Sequence, residues 1–179
     1  QHEMAPIYTD ANAANDQNQL TMEIMKKVAE KHGLICLLHE KPFAGVNGSG
    51  KHNNWSLATD AGDNLFSPGS TPSQNARFLL FLAAFIKGVD EYQELLRCSV
   101  AFAGNDHRLG AQEAPPAIIS VFLGEELEAI VDSIVNDHDY TDRKRKSLRI
   151  GVDVLPAIPK DTTDRNRTSP VAFTGNKFE

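Results

Sequence analysis

Apolar residues along the 179-residue chain change their spacing several times, and each spacing predicts an element. Leu20, Ile24 and Val28 share one helix face, which predicts a helix from Asp16 as N-cap to about His32, with Gly33 as its stop. The Ala/Asn-rich segment Ala11 to Asn15 leads into it, after an extended or short strand-like stretch from Gln1 to Thr9. Leu34 to Leu38 is a continuous apolar run of strand length, as expected of a strand covered on both faces. Further on, Pro72 at a first helical position after Thr71 as cap, with Phe78, Leu82 and Phe85 as a buried stripe, predicts a second helix that stops near Gly88. A shorter helix follows from Asp90 to Cys98.

The C-terminal half is patterned less regularly. Ile118 to Leu123 is apolar. Gly124 to Asn136 predicts an acidic amphipathic helix with Leu127, Ile130, Val131 and Ile134 as its stripe. Asp137 to Ser147 is charged and reads as exposed. Leu148 to Ile158 reads as a strand interrupted at Pro156, Lys160 to Pro170 as a polar stretch, and Val171 to Glu179 as strand-like again around Gly175. Ala58 to Ser70, rich in Gly, Asp, Asn, Ser and Pro, reads as loop. There is no internal repeat and no low-complexity tract.

One stretch organises the rest. In Lys41 to Leu57, the glycines Gly45, Gly48 and Gly50 permit positive φ and close approach of backbone to a ligand, and they lead into an alternating polar and apolar run. On a strand, His52, Asn54 and Ser56 would share one face while Trp55 and Leu57 take the other, buried one. A neutral imidazole, an amide and a hydroxyl in a row suit a metal ion and the oxygens of a polar substrate. A half-exposed strand with ordinary polar residues outward satisfies the same pattern.

Composition narrows the class. An apolar fraction of 41% is ordinary for a soluble globular domain, and the formal net charge of −6 argues against nonspecific nucleic-acid binding. The basic run Arg143-Lys144-Arg145-Lys146 reads as a solvated face. Cys36 and Cys98 are too few for a disulfide framework or a zinc site, which fits a reducing cytoplasm. No apolar stretch reaches membrane-spanning length, and the first residues lack the pattern of a signal peptide. The chain starts without Met and ends on Phe178-Glu179 inside a strand-like run, so it reads as a piece of something longer.

Ala103 to Pro116 is the second stretch that local structure leaves unexplained. Its glycines and prolines forbid a long helix, yet it carries His107, Arg108 and Glu113, and loops on rigid scaffolds are where function concentrates. Arg108 could clamp a carboxylate through its planar fork, or form an ordinary surface ion pair.

Taken together, these stretches resemble the catalytic domain of glutamine synthetase, and most closely the long bacterial type III branch. The matching motifs are Gln1-His2-Glu3, Lys41-Pro42 with Asn47-Gly48-Ser49-Gly50, His52-Asn53-Asn54-Trp55-Ser56, Arg108 with Glu113-Ala114-Pro115, Asn166-Arg167, and Lys177-Phe178-Glu179. They occur in the family's order and nearly span the chain.

The resemblance implies ATP-dependent joining of ammonia to glutamate through a γ-glutamyl phosphate, with divalent ions. Glu3 corresponds to a ligand of the metal nearer glutamate and ammonia, and His52 and Glu179 to ligands of the metal that bridges the ATP phosphates. Two carboxylates and one imidazole suit Mg²⁺ or Mn²⁺ better than zinc. Asn47 and Gly48 are implied to hold the amino-acid substrate, with Arg108 on a glutamate carboxylate. Asn54 and Ser56 are implied to contact ATP, and Arg167 to stabilise the transferring phosphoryl group. Glu113 corresponds to a flap carboxylate that helps form the ammonium site and shields the acyl phosphate from water.

Three departures accompany it. Asn54 stands where the commonest bacterial branch has an ATP-site histidine. A second phosphate-site arginine expected shortly after Arg167 is not evident, Ala172 lying near its place. The upstream β-grasp domain, other metal carboxylates and the strand beyond Glu179 are not in the sequence. Residues 1–179 are thus expected to be a partial catalytic domain of α+β class, an antiparallel sheet backed by helices that is incomplete in this chain. On this reading Glu3, His52 and Glu179 converge on one concave face. The full-length parent would be a cytoplasmic homo-oligomeric ring acting on glutamate, ammonia and ATP, with no nucleic-acid or membrane partner, and the fragment alone would be inactive. Two other functions fit less of the pattern: a catalytically silent ligand-binding or assembly module, and a guanidino-kinase-like phosphotransferase, which would not need the Asn-Gly-Ser-Gly loop.

Overall fold

The computed structural model describes residues 4–39, 43, 45, 53–100, 118–140, 147–148, 158–159 and 169–178. The chain divides into two compact units, Gln1–Ser49 and Gly50–Glu179.

In the first unit the helix α1 spans Ala11–Lys31, six residues longer at its start than a cap at Asp16 predicts. Asp10 rather than Asp16 is the cap: its carboxylate accepts from the Ala13 N–H at 2.9 Å, satisfying one of the donors that a helix start leaves free. Alanines and asparagines that read as a lead-in are therefore the first turn, because the cap decides where the helix begins. Its end follows the expectation. Gly33 takes φ +67°, its N–H donates to the Glu30 carbonyl at 3.0 Å and the Leu34 N–H donates to the Ala29 carbonyl at 2.9 Å. That pair of bonds is the Schellman stop.

Burial in this unit departs from expectation. α1 has no buried residue, and Leu20, Ile24 and Val28 are all exposed. Leu34 to Leu38 forms no strand; Leu34 is 65% and Ile35 86% exposed. A strand covered on both faces requires neighbours on both sides, and among the described residues of this unit none supplies them. Met4, Ile7 and Tyr8 are also exposed, in irregular backbone. Gly45 has φ +74°, as the glycine loop requires.

The second unit holds the core. After a 3₁₀ turn at Pro72–Gln74, the helix α2 spans Ala76–Glu91. Thr71 makes no capping hydrogen bond; Asn75 does, its Oδ1 accepting from the Phe78 N–H at 3.1 Å. The same side chain donates to the carbonyls of Ser67 and Pro68, both at 3.2 Å, so it ties the incoming loop to the helix start. α2 continues past Gly88, since a glycine in helical φ costs only about 1 kcal/mol against alanine and Val89 behind it is buried. The next helix, α3, spans Gln93–Val100, and α4 spans Glu125–Val135.

Gly124 at φ +87° precedes α4, and Glu125, Glu126 and Glu128 occupy its first turn, where the helix dipole favours negative charge. Leu127 and Ile130 are buried as predicted, but Ile134 is 60% exposed and Ser133 is buried in its stead. Ser133 is accommodated because its hydroxyl donates to the Ile130 carbonyl at 2.7 Å, leaving no bare polar group.

Phe78 and Leu82 of α2 meet Leu127 and Ile130 of α4 with Phe66, Phe173 and Phe178 in one cluster, flanked by half-buried Phe85, Val121 and Val171. Phe66 lies in the stretch that reads as loop, so its burial is unexpected. Strands are short. β1 (Val121–Phe122) pairs in parallel with β4 (Val171–Ala172), across a connection long enough for the crossover that parallel pairing needs. β2 (Ser147–Leu148) pairs antiparallel with β3 (Ile158–Pro159). The structure is thus helices with small two-stranded pairs. The expected antiparallel sheet backed by helices is not found among the described residues, and the pair that flanks the core is parallel.

Candidate functional site

Of the residues singled out for chemistry, Asn54 and Ser56 lie among the described residues. Glu3, Asn47, Gly48, His52, Arg108, Glu113, Arg167 and Glu179 lie outside them, as does the basic run from Arg143 to Lys146. Among the described residues no three His, Cys, Asp or Glu side chains stand close enough to hold a metal ion. Both cysteines are free.

Asn54 and Ser56 are exposed and flank Trp55, whose backbone makes an isolated antiparallel bridge with Phe178. The Trp55 N–H donates to the Phe178 carbonyl and the Phe178 N–H to the Trp55 carbonyl, each at 2.9 Å. The polar segment is thereby stitched to Phe178 of the motif Lys177-Phe178-Glu179, 123 positions later in the sequence. A second stitch runs through Asn64, which sequence reading passed over: its Nδ2 donates to the Asn176 carbonyl at 2.9 Å and its Oδ1 accepts from the Phe66 N–H at 2.8 Å. Asparagine in a Gly/Asp/Asn-rich loop does signal local backbone capping, but nothing local signals a partner so distant.

Behind this pairing sits an aromatic cluster. The Phe178 ring, fully buried, stacks on Phe85 of α2 at 3.7 Å between centroids and meets Phe66 and Phe173 edge-on at 5.0 and 5.1 Å. The turn that sends Phe178 back onto Phe173 is closed by the Thr174 N–H donating to the Lys177 carbonyl at 2.8 Å and turns through Gly175 at φ +88°, a conformation glycine adopts at little cost.

Trp55 corrects an expectation. Its ring lies 5.6 to 5.9 Å from those of Phe85, Phe66 and Phe178, yet it remains 42% exposed, and Leu57 is 44% exposed. Isolated bridges rather than a strand in a sheet hold this segment, so the apolar face borders the core instead of entering it. Ala172, which lies near the place where the resemblance implies a second arginine, is buried in β4.

Residues 1–109 match the glutamine synthetase catalytic domain family, and the chain belongs to that family. It is 62% identical over its whole length to the type-3 glutamine synthetase of Dictyostelium discoideum, covering 24% of that protein. It is likewise 59% identical to a glutamine synthetase of Butyrivibrio fibrisolvens and 56% to one of Bacteroides fragilis (strain YCH46), in each case over all of this chain and 25% of the relative. The chain therefore spans about a quarter of the length of the curated relatives it matches.

Proposed function

We propose that this chain is part of the catalytic domain of a longer polypeptide that ligates ammonia to L-glutamate at the expense of ATP, giving glutamine through a γ-glutamyl phosphate. The observation that carries the reading is identity of 62% along the entire chain to a type-3 glutamine synthetase, a range that includes every motif named above.

On this reading Asn47 and Gly48 hold the amino-acid substrate by backbone and amide hydrogen bonds, and Arg108 pairs with a glutamate carboxylate through its guanidinium fork. Asn54 and Ser56 face ATP, which is consistent with their exposure beside the Trp55 bridge. Arg167 offsets charge that develops on the phosphoryl oxygens as the γ-phosphoryl group passes to the glutamate side-chain carboxylate. Glu113 closes over the acyl phosphate, excludes water and helps accept ammonium, so that ammonia rather than water attacks. Glu3, His52 and Glu179 are the candidate metal ligands. Their donor set, two carboxylates and one imidazole, fits Mg²⁺ or Mn²⁺, which when bound neutralises phosphate charge.

An antiparallel sheet carrying Glu3, His52 and Glu179 on one face belongs to the same proposal, as do a cytoplasmic location and a homo-oligomeric ring in the full-length parent. No helix among the described residues is long and apolar enough to cross a membrane. The test is γ-glutamyl hydroxamate formation by the full-length parent with glutamate, hydroxylamine and MgATP. Product that requires both glutamate and ATP is expected; phosphoryl transfer to a guanidino compound without it, or ligand binding with no turnover, would reject the ligase reading.

A further inference from the structure

We propose that Phe178 is a positioning residue for nucleotide binding: through its peptide bridge to Trp55 it holds Asn54 and Ser56 in the register that presents them to ATP. This rests on the reading of Asn54 and Ser56 as nucleotide contacts and adds the element that holds them.

Among the described residues, few contacts keep residues 53–57 in place. Apart from the partly covered Trp55 ring, their side chains are exposed, so burial of Asn54 and Ser56 themselves contributes little. Among the described residues the backbone ties of this segment are the reciprocal Trp55 and Phe178 hydrogen bonds at 2.9 Å and the Leu65 N–H to the Leu57 carbonyl at 2.8 Å. Successive side chains on extended backbone alternate in direction. With the Trp55 ring laid against Phe66, Phe85 and Phe178, its neighbours Asn54 and Ser56 take the other side. A shift of pairing by one residue would exchange the faces and turn the polar pair toward the rings.

Phe178 is what prevents that shift. Its ring is fully buried, packed on Phe85 from α2 and on Phe66 and Phe173, while its backbone reaches out to Trp55. Ring and peptide of one residue thus connect the rigid core to an exposed polar segment. Tight cores have few alternative packings, so the ring fixes the peptide, and the peptide fixes the register of Asn54 and Ser56.

The experiment uses the full-length parent and compares Asn54→Ala, Phe178→Leu and the double variant for KM of ATP, KM of glutamate, kcat and thermal midpoint. Leucine keeps the site apolar while removing the flat ring that stacks on Phe85. If Phe178 acts through Asn54, Phe178→Leu raises the KM of ATP about fivefold and the KM of glutamate less than about twofold. The double variant then stays within about twofold of Asn54→Ala alone, since residues that act through one another are non-additive. Should Phe178→Leu not yield folded protein, Phe85→Leu removes the ring on which Phe178 stacks and so loosens the hold on its peptide, with the same split expected. Equal effects on both KM values, a lowered melting point with unchanged KM of ATP, or additive effects in the double variant would overturn the proposal and leave Phe178 as core alone. If Asn54→Ala and Ser56→Ala both leave the KM of ATP unchanged, the nucleotide assignment itself fails and the positioning role falls with it; a change in Asn54→Ala without one in Phe178→Leu defeats the positioning role only.

Discussion

α1 and α2 are both helices bounded by a capping side chain, Asp10 in one and Asn75 in the other, and they differ in everything that follows. α1, the longer at 21 residues, buries none of its side chains. α2, with 16 residues, buries Phe78, Leu82 and Val89. The contrast separates two questions that sequence reading tends to merge. Local terms decide where a helix starts and stops: a cap, a left-handed glycine, good helix formers such as Ala, Glu, Lys and Met, and pairs such as Glu23 with Lys27 at 3.2 Å, worth only a few tenths of a kcal/mol each. Partners decide what is buried. α2 has the rings of Phe66, Phe173 and Phe178 and the apolar face of α4 within its own unit, whereas α1 finds no equivalent among the described residues of Gln1–Ser49.

The sharpest way to break this comparison is to truncate one residue on each helix in the 179-residue chain. Phe78→Ala, at a fully buried position, should cost about 3–5 kcal/mol in urea denaturation. Ile24→Ala, at a position 49% exposed, should cost under about 1 kcal/mol, within the range of surface substitutions plus a small packing loss. Similar costs for the two would show that α1 is packed in solution after all.

Second in size is an effect on chemistry rather than on the core. In the full-length parent, His52→Ala is expected to lower the rate of hydroxamate formation about a hundredfold, close to 3 kcal/mol of barrier, as loss of one electrostatic contact at a transferring phosphoryl group does. Its melting temperature should hold. A variant that keeps full activity, or that melts as early as Phe78→Ala, returns His52 to an ordinary polar position.

Trp55→Ala falls between site and core. Full burial of the ring would predict a loss like that of Phe78; with 42% of the residue exposed and three ring neighbours, the expected cost is about 1–3 kcal/mol. A value at the upper end of the Phe78→Ala range would mean that something further covers the ring.

These expectations also mark what was legible. Helix existence was readable because the apolar spacing of Leu20, Ile24 and Val28, or of Phe78 and Leu82, repeats within a few residues. Starts were less so: Asp10 and Asp16 both satisfy the cap chemistry, and Thr71 with Pro72 resembles a start that the chain spends on a 3₁₀ turn before Asn75. Burial was least legible. Leu34 to Leu38 has the composition of a covered strand, yet composition cannot supply the neighbours. Ser133 displaces Ile134 from the core because helix rotation is set by what α4 meets. Of the candidate site, the family motifs were readable as ordered short words. The tie between Trp55 and Phe178 was not, since a bridge across so long a sequence separation leaves no local pattern.

The smallest effect probes α1 most directly. Gly33 lies at φ +67° with open space where a Cβ would be, so Gly33→Ala meets no clash and isolates the backbone cost of a left-handed alanine, about 1 kcal/mol. In a helix whose stability came from a buried face, a loss of that size at one end would be spread through the whole packed unit. α1 has no such face, so the penalty should stay where it arises: the Gly33 and Leu34 amides, which donate to Glu30 and Ala29, should lose hydrogen-exchange protection roughly fivefold, as about 1 kcal/mol of local opening implies. Amides in the middle of α1 should change less, and those of α2 and α4 not at all. Uniform loss of protection across both units would mean that α1 folds cooperatively with the aromatic core, and the division drawn between a locally specified helix and a partner-specified one would not stand.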